Sequence, residues 1–217
     1  MVYRADEMTV LKNSEFMILL AAAGIDRWYG IEIGSTSELD SDRAFNRNLA
    51  GLYQKNVIDW SNGKARMTGP CRHIFEVLRS STVCITISSE GRPDYIRGCY
   101  FSGNDVATVD RRTAAEDEIE LSVMEYADWL KGLEEDGLIP ETAGVPDKDE
   151  KINMEKEPVS RFELRSLPEG DLLETAEIFD KGLYGLLERT IGNKTETDYF
   201  RKEQFTGMLK DWIGGAA

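Results

Sequence analysis

The chain has 217 residues, 41% hydrophobic and 30% charged, which is typical of an ordinary globular protein long enough for one large domain or two small ones. Nucleic acids and anionic membranes are bound through a basic protein surface, so the net charge of −14 opposes binding to either. The longest apolar run, from Phe16 to Gly24, is too short to span a bilayer and lacks the features of a signal peptide, and three scattered cysteines suit a reducing compartment, so we expect a cytoplasmic protein.

Residues 1–70 predict an N-terminal helical region. Residues 1–12 have the composition of a frayed start, and a helix is expected from Glu15 to Ala23, with Asn13 or Ser14 as its cap. A second helix is expected from Asp42 to Lys55. Asn62-Gly63 between two short β-like runs is a strong hairpin signal. On the second helix, four large side chains are expected to share one side: Phe45, Leu49, Leu52 and Tyr53.

Two helices followed by a hairpin have the outline of a winged helix. A DNA-reading winged helix needs basic residues on its second helix, where Arg43, Arg47 and Lys55 are the candidates. The acidic balance of the whole chain opposes that use. A winged-helix-like packing or protein-contact module is the better interpretation.

Residues 71–140 predict one half of a sheet, with a helix at each end. The first helix is expected from Cys71 to about Arg79, after Pro70, and a long amphipathic helix is expected from Glu116 to about Glu135. Between them lie three predicted strands: Thr82–Ser89, Asp94–Ser102 and Asp105–Arg112.

The turns between these strands predict a register. If the first hairpin is symmetric, Cys84 lies opposite Cys99. The alternation of Val83, Ile85 and Ile87 with polar residues predicts one buried and one solvated face. Gly103-Asn104 as the second turn predicts two further pairs: Arg97 with Asp110, and Phe101 with Val106.

Residues 141–158 are polar and charged, which predicts an acidic linker or loop. Residues 159–217 then predict a second β-meander closed by a helix. Its strands are expected at 160–167, 172–179, 182–190 and 195–200, and its helix at 202–213. The predicted fold class is α+β, with an antiparallel sheet of about seven strands built from two related halves, helices on one face, and both halves packed as one domain.

The residues that usually carry catalysis form no recognisable constellation. The one histidine, His73, lies within a predicted amphipathic helix, and the side chains of Cys71 and His73 would point apart on that helix. Cys71, Cys84 and Cys99 do not have zinc-finger spacing, and no glycine-rich phosphate loop is present. We therefore predict no catalytic residue, no metal site and no cofactor.

Aromatic side chains are the remaining candidates for a functional surface. Trp60 lies beside the predicted hairpin turn, where core and partner contact are equally good interpretations. Trp28 and Tyr29 fit either the N-terminal core or a partner contact. Trp129 and Trp212 lie on the closing helices, where a core role is favoured.

The order of these parts resembles a known family. The chain opens with SEFMILLAAAG and a W-Y-G-I segment, and continues through EVLRSSTVCITIS and GCYFSGNDVATVDR to a second meander and a terminal helix. This pattern resembles the EspG-like accessory proteins of type VII (ESX) secretion and their relatives in Gram-positive bacteria. The resemblance implies a central sheet with a pseudo-twofold arrangement of two α+β halves. It also implies a cytosolic chaperone that binds helical secretion substrates and has no catalytic residues.

Three functions follow as hypotheses. The leading one is a non-enzymatic chaperone or adaptor that binds small helical secretion substrates of a type VII-like system. The first alternative is a small-molecule sensor or enzyme with a pocket between sheet and helices. The second is a winged-helix DNA regulator. The sequence leaves open whether the chain forms a homodimer.

Overall fold

A computed structural model of the chain describes residues 8–33, 41–61, 63–111, 117–141, 158–167, 169–181 and 184–214. Those residues form eleven strands and five helices. The elements before the first meander are β1 (Thr9–Lys12), α1 (Asn13–Ala23), α2 (Asp42–Gln54), β2 (Ile58–Ser61), β3 (Lys64–Met67) and α3 (Gly69–Ser80). The first meander and its helix are β4 (Val83–Ser89), β5 (Arg92–Ser102), β6 (Asp105–Arg111), β7 (Glu118–Glu125) and α4 (Tyr126–Glu135). The second meander and its helix are β8 (Ser160–Ser166), β9 (Leu172–Asp180), β10 (Gly185–Ile191), β11 (Lys194–Tyr199) and α5 (Lys202–Gly214).

Nine of these strands form one sheet in the order β1-β7-β6-β5-β4-β8-β9-β10-β11, and β2 pairs with β3 separately. All pairs are antiparallel. Each half is a meander of four strands followed by a helix, and the halves join where β4 pairs with β8. β11 forms one outer edge of the sheet and β1 the other.

The sheet has nine strands rather than the predicted seven, and the two missed strands are β1 and β7, which pair with each other. β1 lies in the segment predicted to be frayed. β7 occupies the first part of the predicted helix from Glu116 to Glu135, and α4 begins only at Tyr126. Ile119, Leu121 and Val123 occupy alternate positions and all belong to the first core, which is the two-residue period of a strand.

Helices pack on both faces of the sheet, which corrects the prediction of helices on one face. The first core unites α1 and α3 with one face of the first meander, and includes Phe16, Phe75 and Tyr100. The second core unites α4 and α5 with the opposite face, and includes Trp129, Phe162 and Phe205. The prediction of one solvated face on β4 was therefore wrong, because Cys84 belongs to the first core and Ile85 to the second.

Cys84 and Cys99 are not cross-strand partners. Cys84 lies opposite Tyr100, and Ile85 lies opposite Cys99. The register differs from the predicted one by a single residue, because Ser89 pairs with Arg92 across a shorter turn and three extra residues of β5 precede the next pair, Ser88 with Ile96. A one-residue slip moves a side chain to the other face of a sheet. The two thiols therefore lie in different cores, Cys84 in the first and Cys99 in the second. The second hairpin has the predicted register, with Arg97 opposite Asp110 and Phe101 opposite Val106.

The N-terminal elements stack on the first meander. α1 contacts α2 and α3, and α3 packs against β5, β6 and β7. Lys12 is the N-cap of α1, in place of the predicted Asn13 or Ser14, and Gly24 is its C-cap. The Ser41 hydroxyl accepts a hydrogen bond from the Ala44 amide at 3.2 Å and so caps α2. The predicted hairpin around residue 63 is confirmed as β2 and β3.

The C-terminal meander follows its prediction closely, since all four strands and the closing helix lie within a few residues of the expected bounds. Of the predicted linker at 141–158, residues 142–157 lie outside the part of the chain that the structure describes. The division at 1–70, 71–140, 141–158 and 159–217 stays a prediction.

Candidate partner-binding surface

Trp28 lies in the segment after α1 and forms part of the wall of the first core. Its Nε1 donates a hydrogen bond to the carbonyl oxygen of Ile31 at 2.9 Å. Its ring meets Phe16 edge-on and lies tilted against Tyr100, with centroid distances of 4.9 Å to each. The side chain is half-buried, so these contacts leave one part of the ring at the surface in a fixed orientation.

Tyr29 is also half-buried and ties the N-terminal segment to the second meander. Its carbonyl oxygen accepts a hydrogen bond from the Tyr100 hydroxyl. Its ring lies against Gly170 in the turn between β8 and β9, where a Cβ would overlap the ring and φ is +80°. A side chain at position 170 would be unfavourable on both counts. The structure thus brings Trp28 and Tyr29 together beside Tyr100.

Trp60 is placed elsewhere, on the β2–β3 hairpin. Its side chain is 53% exposed, so it is not a core residue. Two further aromatic side chains are exposed on α2, which contacts β2: Phe45 at 43% and Tyr53 at 53%. We call Phe45, Tyr53 and Trp60 the α2–hairpin surface.

Phe45 and Tyr53 were predicted to share one side of their helix with Leu49 and Leu52. Leu52 is fully buried and Leu49 is half-buried, so the buried stripe of α2 runs through these two leucines and Asn48. The amphipathic pattern predicted the helix, but not that the aromatic side chains near its two ends stay exposed. Phe45 and Tyr53 are therefore surface residues that the sequence did not single out.

A buried polar cluster fixes α2 against α1. The Ser14 hydroxyl donates to Asn48 Oδ1 at 3.0 Å. Glu15, only 2% exposed, accepts from the Lys12 amide at 2.8 Å and pairs with Lys55 Nζ at 2.5 Å. Lys55, one of the three cations considered for DNA contact, is thus engaged in an internal ion pair. These contacts hold the α2–hairpin surface on the first core.

Gly51 on α2 leaves no room for a side chain next to the buried Glu15 carboxylate. A Cβ at this position would lie 2.5 Å from Glu15 Oε1. We expect Gly51→Ala to lower the free energy of unfolding by about 1–3 kcal/mol, because displacement of a buried carboxylate outweighs the better helix propensity of alanine. Urea unfolding measures the change.

Gly207→Ala in α5 is the matched control, because a Cβ there meets nothing within 4 Å. That variant should be stabilised by about 0.5–1 kcal/mol through helix propensity alone. Stabilisation of both variants to the same extent would contradict the role given to the Glu15 cluster.

The structure places the described side chains with potential reactivity in separate surroundings. His73 Nε2 lies 2.9 Å from Asp105 Oδ2 in a half-exposed pair on the surface. Burial raises the pKa of the Cys71 thiol to about 12, and burial likewise raises the pKa of Cys99, which disfavours the nucleophilic thiolate. Within the described ranges, no group of three His, Cys, Asp or Glu residues is placed to hold a metal ion. No helix in those ranges is both long enough and apolar enough to cross a membrane.

Comparison with known proteins gives a fold and no sequence family. No protein-family model matches the chain, and no curated protein matches it. Among solved structures, the chain is similar to the Mycobacterium tuberculosis type VII secretion system chaperone EspG5, solved in complex with a PE25–PPE41 dimer. The match covers 95% of this chain and 96% of that chain, with a TM-score of 0.58 and 9% sequence identity. The resemblance predicted from the order of elements is thus confirmed at the level of the fold: the chain has a fold similar to that of a chaperone of type VII secretion.

Proposed function

We propose that this chain is a non-enzymatic, cytosolic chaperone or adaptor that binds small helical secretion substrates of a type VII-like system. The observation that carries the proposal is the α2–hairpin surface, three exposed aromatic side chains presented by a buttressed helix and a hairpin. Exposed aromatic side chains are enriched at protein-contact sites. The fold similarity to EspG5, a chaperone solved with a protein dimer, supports the same class of partner.

In this proposal, the α2–hairpin surface covers apolar residues at the tip of a partner's helical hairpin. Helical partners present apolar side chains at three- and four-residue spacing. Phe45 and Tyr53 are eight residues apart on α2 and therefore lie about two turns apart along the helix, with a rotation of roughly 80° between them. The hairpin adds Trp60 as a third contact, which gives the surface the reach of a short helix segment.

The direct test is coexpression of the chain with small helical proteins encoded beside its gene, followed by affinity purification and native mass spectrometry. We expect a complex of defined stoichiometry with at least one of them. If every neighbouring helical protein is recovered without the chain, the proposed function is wrong.

Trp60→Ala should weaken such a complex by about tenfold or more, because exposed tryptophans that become buried on binding are the usual hot spots of interfaces. Ile191→Ala is the matched control, since Ile191 is also 53% exposed but lies at the end of β10 in the second meander. Its affinity should stay within about twofold of the parent chain. Isothermal titration calorimetry measures both, and equal losses for the two variants would place the contact elsewhere.

A further inference from the structure

A cleft of about 420 Å³ opens between the ends of α1 and α3 and the sheet, apart from the α2–hairpin surface. Its size is within the range of small-molecule sites. Its apolar lining consists of Ile25, Trp28, Tyr29, Leu78, Tyr100 and Leu167. Its polar side chains are Asp26, Arg27, Arg79 and Ser81. Apolar walls with a few charged groups at the mouth are the usual composition of a ligand site.

The aromatic walls are fixed before any ligand arrives. Trp28 is held by its hydrogen bond to Ile31 and by ring contacts on two sides. Tyr29 is held between the Tyr100 hydroxyl bond and Gly170. A preformed wall lowers the entropy cost of binding, because no side chain has to be ordered by the ligand.

The helix ends that border the cleft are capped, so their carbonyl groups are already engaged. At the end of α1, the amides of Gly24 and Ile25 donate to the carbonyl oxygens of Ala21 and Leu20 at 3.1 and 2.9 Å. At the end of α3, the Ser81 amide and hydroxyl both donate to the Val77 carbonyl oxygen, at 3.0 and 2.7 Å. The partial negative charge of these ends is therefore partly neutralised by their caps.

Two guanidinium groups then set the charge at the mouth of the cleft. Arg27 and Arg79 are both exposed, and the described part of the chain provides neither with an ion-pair partner. Asp26 is the single carboxylate among the lining side chains. The cleft thus carries an excess of one positive charge in a chain whose net charge is −14.

We propose that this cleft binds a small organic anion, with its apolar body against Trp28 and Tyr29 and its carboxylate between Arg27 and Arg79. Guanidinium groups suit carboxylates because their planar donors match both oxygens. Two classes of ligand have this chemistry, namely fatty-acid-like acyl anions and aromatic carboxylates. Each has an apolar body and one anionic group. This site is independent of the proposed chaperone function, so either can fail alone.

The first test uses two dyes with the same ring system. 8-Anilinonaphthalene-1-sulfonate carries one anionic group, and N-phenyl-1-naphthylamine carries none. Saturable fluorescence enhancement of the folded protein gives a dissociation constant for each. In the Arg27→Gln/Arg79→Gln variant, the affinity for the anionic dye should fall about five- to tenfold, as expected for two partly exposed charge contacts, while that for the neutral dye stays within about twofold.

Two controls separate the cleft from other surfaces. Arg43→Gln/Arg47→Gln removes two exposed cations from α2, and Trp60→Ser removes the most prominent aromatic residue of the α2–hairpin surface. Neither should change the affinity for the anionic dye by more than about twofold. A loss in either control that equals the loss in the cleft variant, or no loss in the cleft variant, would overturn the proposal.

Displacement of the anionic dye then identifies the source of the ligand. Dodecanoate represents an acyl anion, and indole-3-acetate represents an aromatic one. Displacement by either supports the proposal and assigns the class. If neither displaces the dye at millimolar concentration, the dye site is not a site for apolar carboxylates and the proposal is wrong.

Discussion

Replacing Arg97 by methionine should lower the free energy of unfolding by about 3–5 kcal/mol, because the change leaves a buried carboxylate without its cation. Arg97 is only 5% exposed. Its Nε donates to Asp110 Oδ1 at 2.6 Å, and its Nη1 lies 3.6 Å from Asp136 Oδ2. Its guanidinium carbon also lies 5.2 Å from the centroid of the Tyr95 ring. The side chain therefore makes ion pairs with two carboxylates and a cation–π contact with one aromatic ring.

The double variant Arg97→Met/Asp110→Leu is the control for this expectation. Replacement of a whole buried ion pair by apolar side chains is often close to neutral, whereas removal of one partner is costly. The double variant should therefore recover most of the stability lost in the single one. Urea unfolding of the three proteins measures the difference, and a loss below about 1 kcal/mol in Arg97→Met would mean that water replaces the guanidinium.

The same pair predicts a pH dependence. Burial raises the pKa of Asp110 above its ordinary value, although the charge of Arg97 and its hydrogen bond act in the opposite direction. An acid with a raised pKa in the folded state binds its proton more tightly there, so stability falls as pH rises from the unfolded pKa, about 3.9, through the folded one. Without the positive charge of Arg97, the folded-state pKa of Asp110 should be higher still, so the pH range over which stability falls extends to higher pH. The penalty of Arg97→Met should accordingly shrink on lowering the pH from 7 to about 5, and a constant penalty would contradict this assignment.

Trp129→Ala should be as damaging, with an expected loss of about 3–5 kcal/mol. Trp129 is completely buried in the second core. Its ring packs against Phe101 and Tyr126, at centroid distances of 5.1 and 5.5 Å. Its Nε1 donates a hydrogen bond to the Cys99 sulfur at 3.3 Å, and a thiol sulfur is a weak acceptor. Trp129→Phe keeps most of the packing and should cost less than about 1.5 kcal/mol.

Trp212, on the closing helix of the second meander, provides the comparison. Its Nε1 donates to Glu174 Oε2 at 2.8 Å, and the other oxygen of that 8% exposed carboxylate pairs with Arg189 at 2.6 Å. Trp212→Phe removes a donor from a buried charged group and should cost about 1–3 kcal/mol. Guanidinium unfolding of the two phenylalanine variants compares them directly. A larger cost at position 129 than at position 212 would show that packing, and not the hydrogen bond, decides the order.

Turn-forming residues and the alternation of apolar with polar side chains predicted most of the elements of this fold, because both signals depend only on residues close together in the sequence. Gly103-Asn104 placed Arg97 opposite Asp110, as observed. The strands of the second meander were also predicted close to their bounds. The register of the first hairpin could not be predicted, since three extra residues of β5 lie between the pairs Ser89–Arg92 and Ser88–Ile96, and no turn-forming residue in the sequence indicates this irregularity.

The errors lie where a segment's structure depends on distant partners. The sequence predicts a helix in place of β7, because Val123, Tyr126 and Leu130 also fit a helical stripe. The segment forms a strand because it pairs with β6 on one side and with β1 on the other. β1 itself has only four residues and carries no strong local signal. The candidate surfaces show the same limit. The sequence indicated Trp60 and Trp28 as candidates. The exposure of Phe45, and the presence of Arg79 in the same cleft as Trp28, depend on how separate elements pack together.

The outer edge of the sheet has a bearing on how the protein behaves at high concentration. β11 ends the strand order, so its outward N–H and C=O groups have no strand beside them in the described part of the chain. Such an edge is a template for polymerisation. Lys194, Glu196 and Asp198 occupy alternate positions along it, and all three are exposed. Charged side chains along an edge oppose the pairing of another strand there, so this edge is expected to disfavour fibrous aggregation.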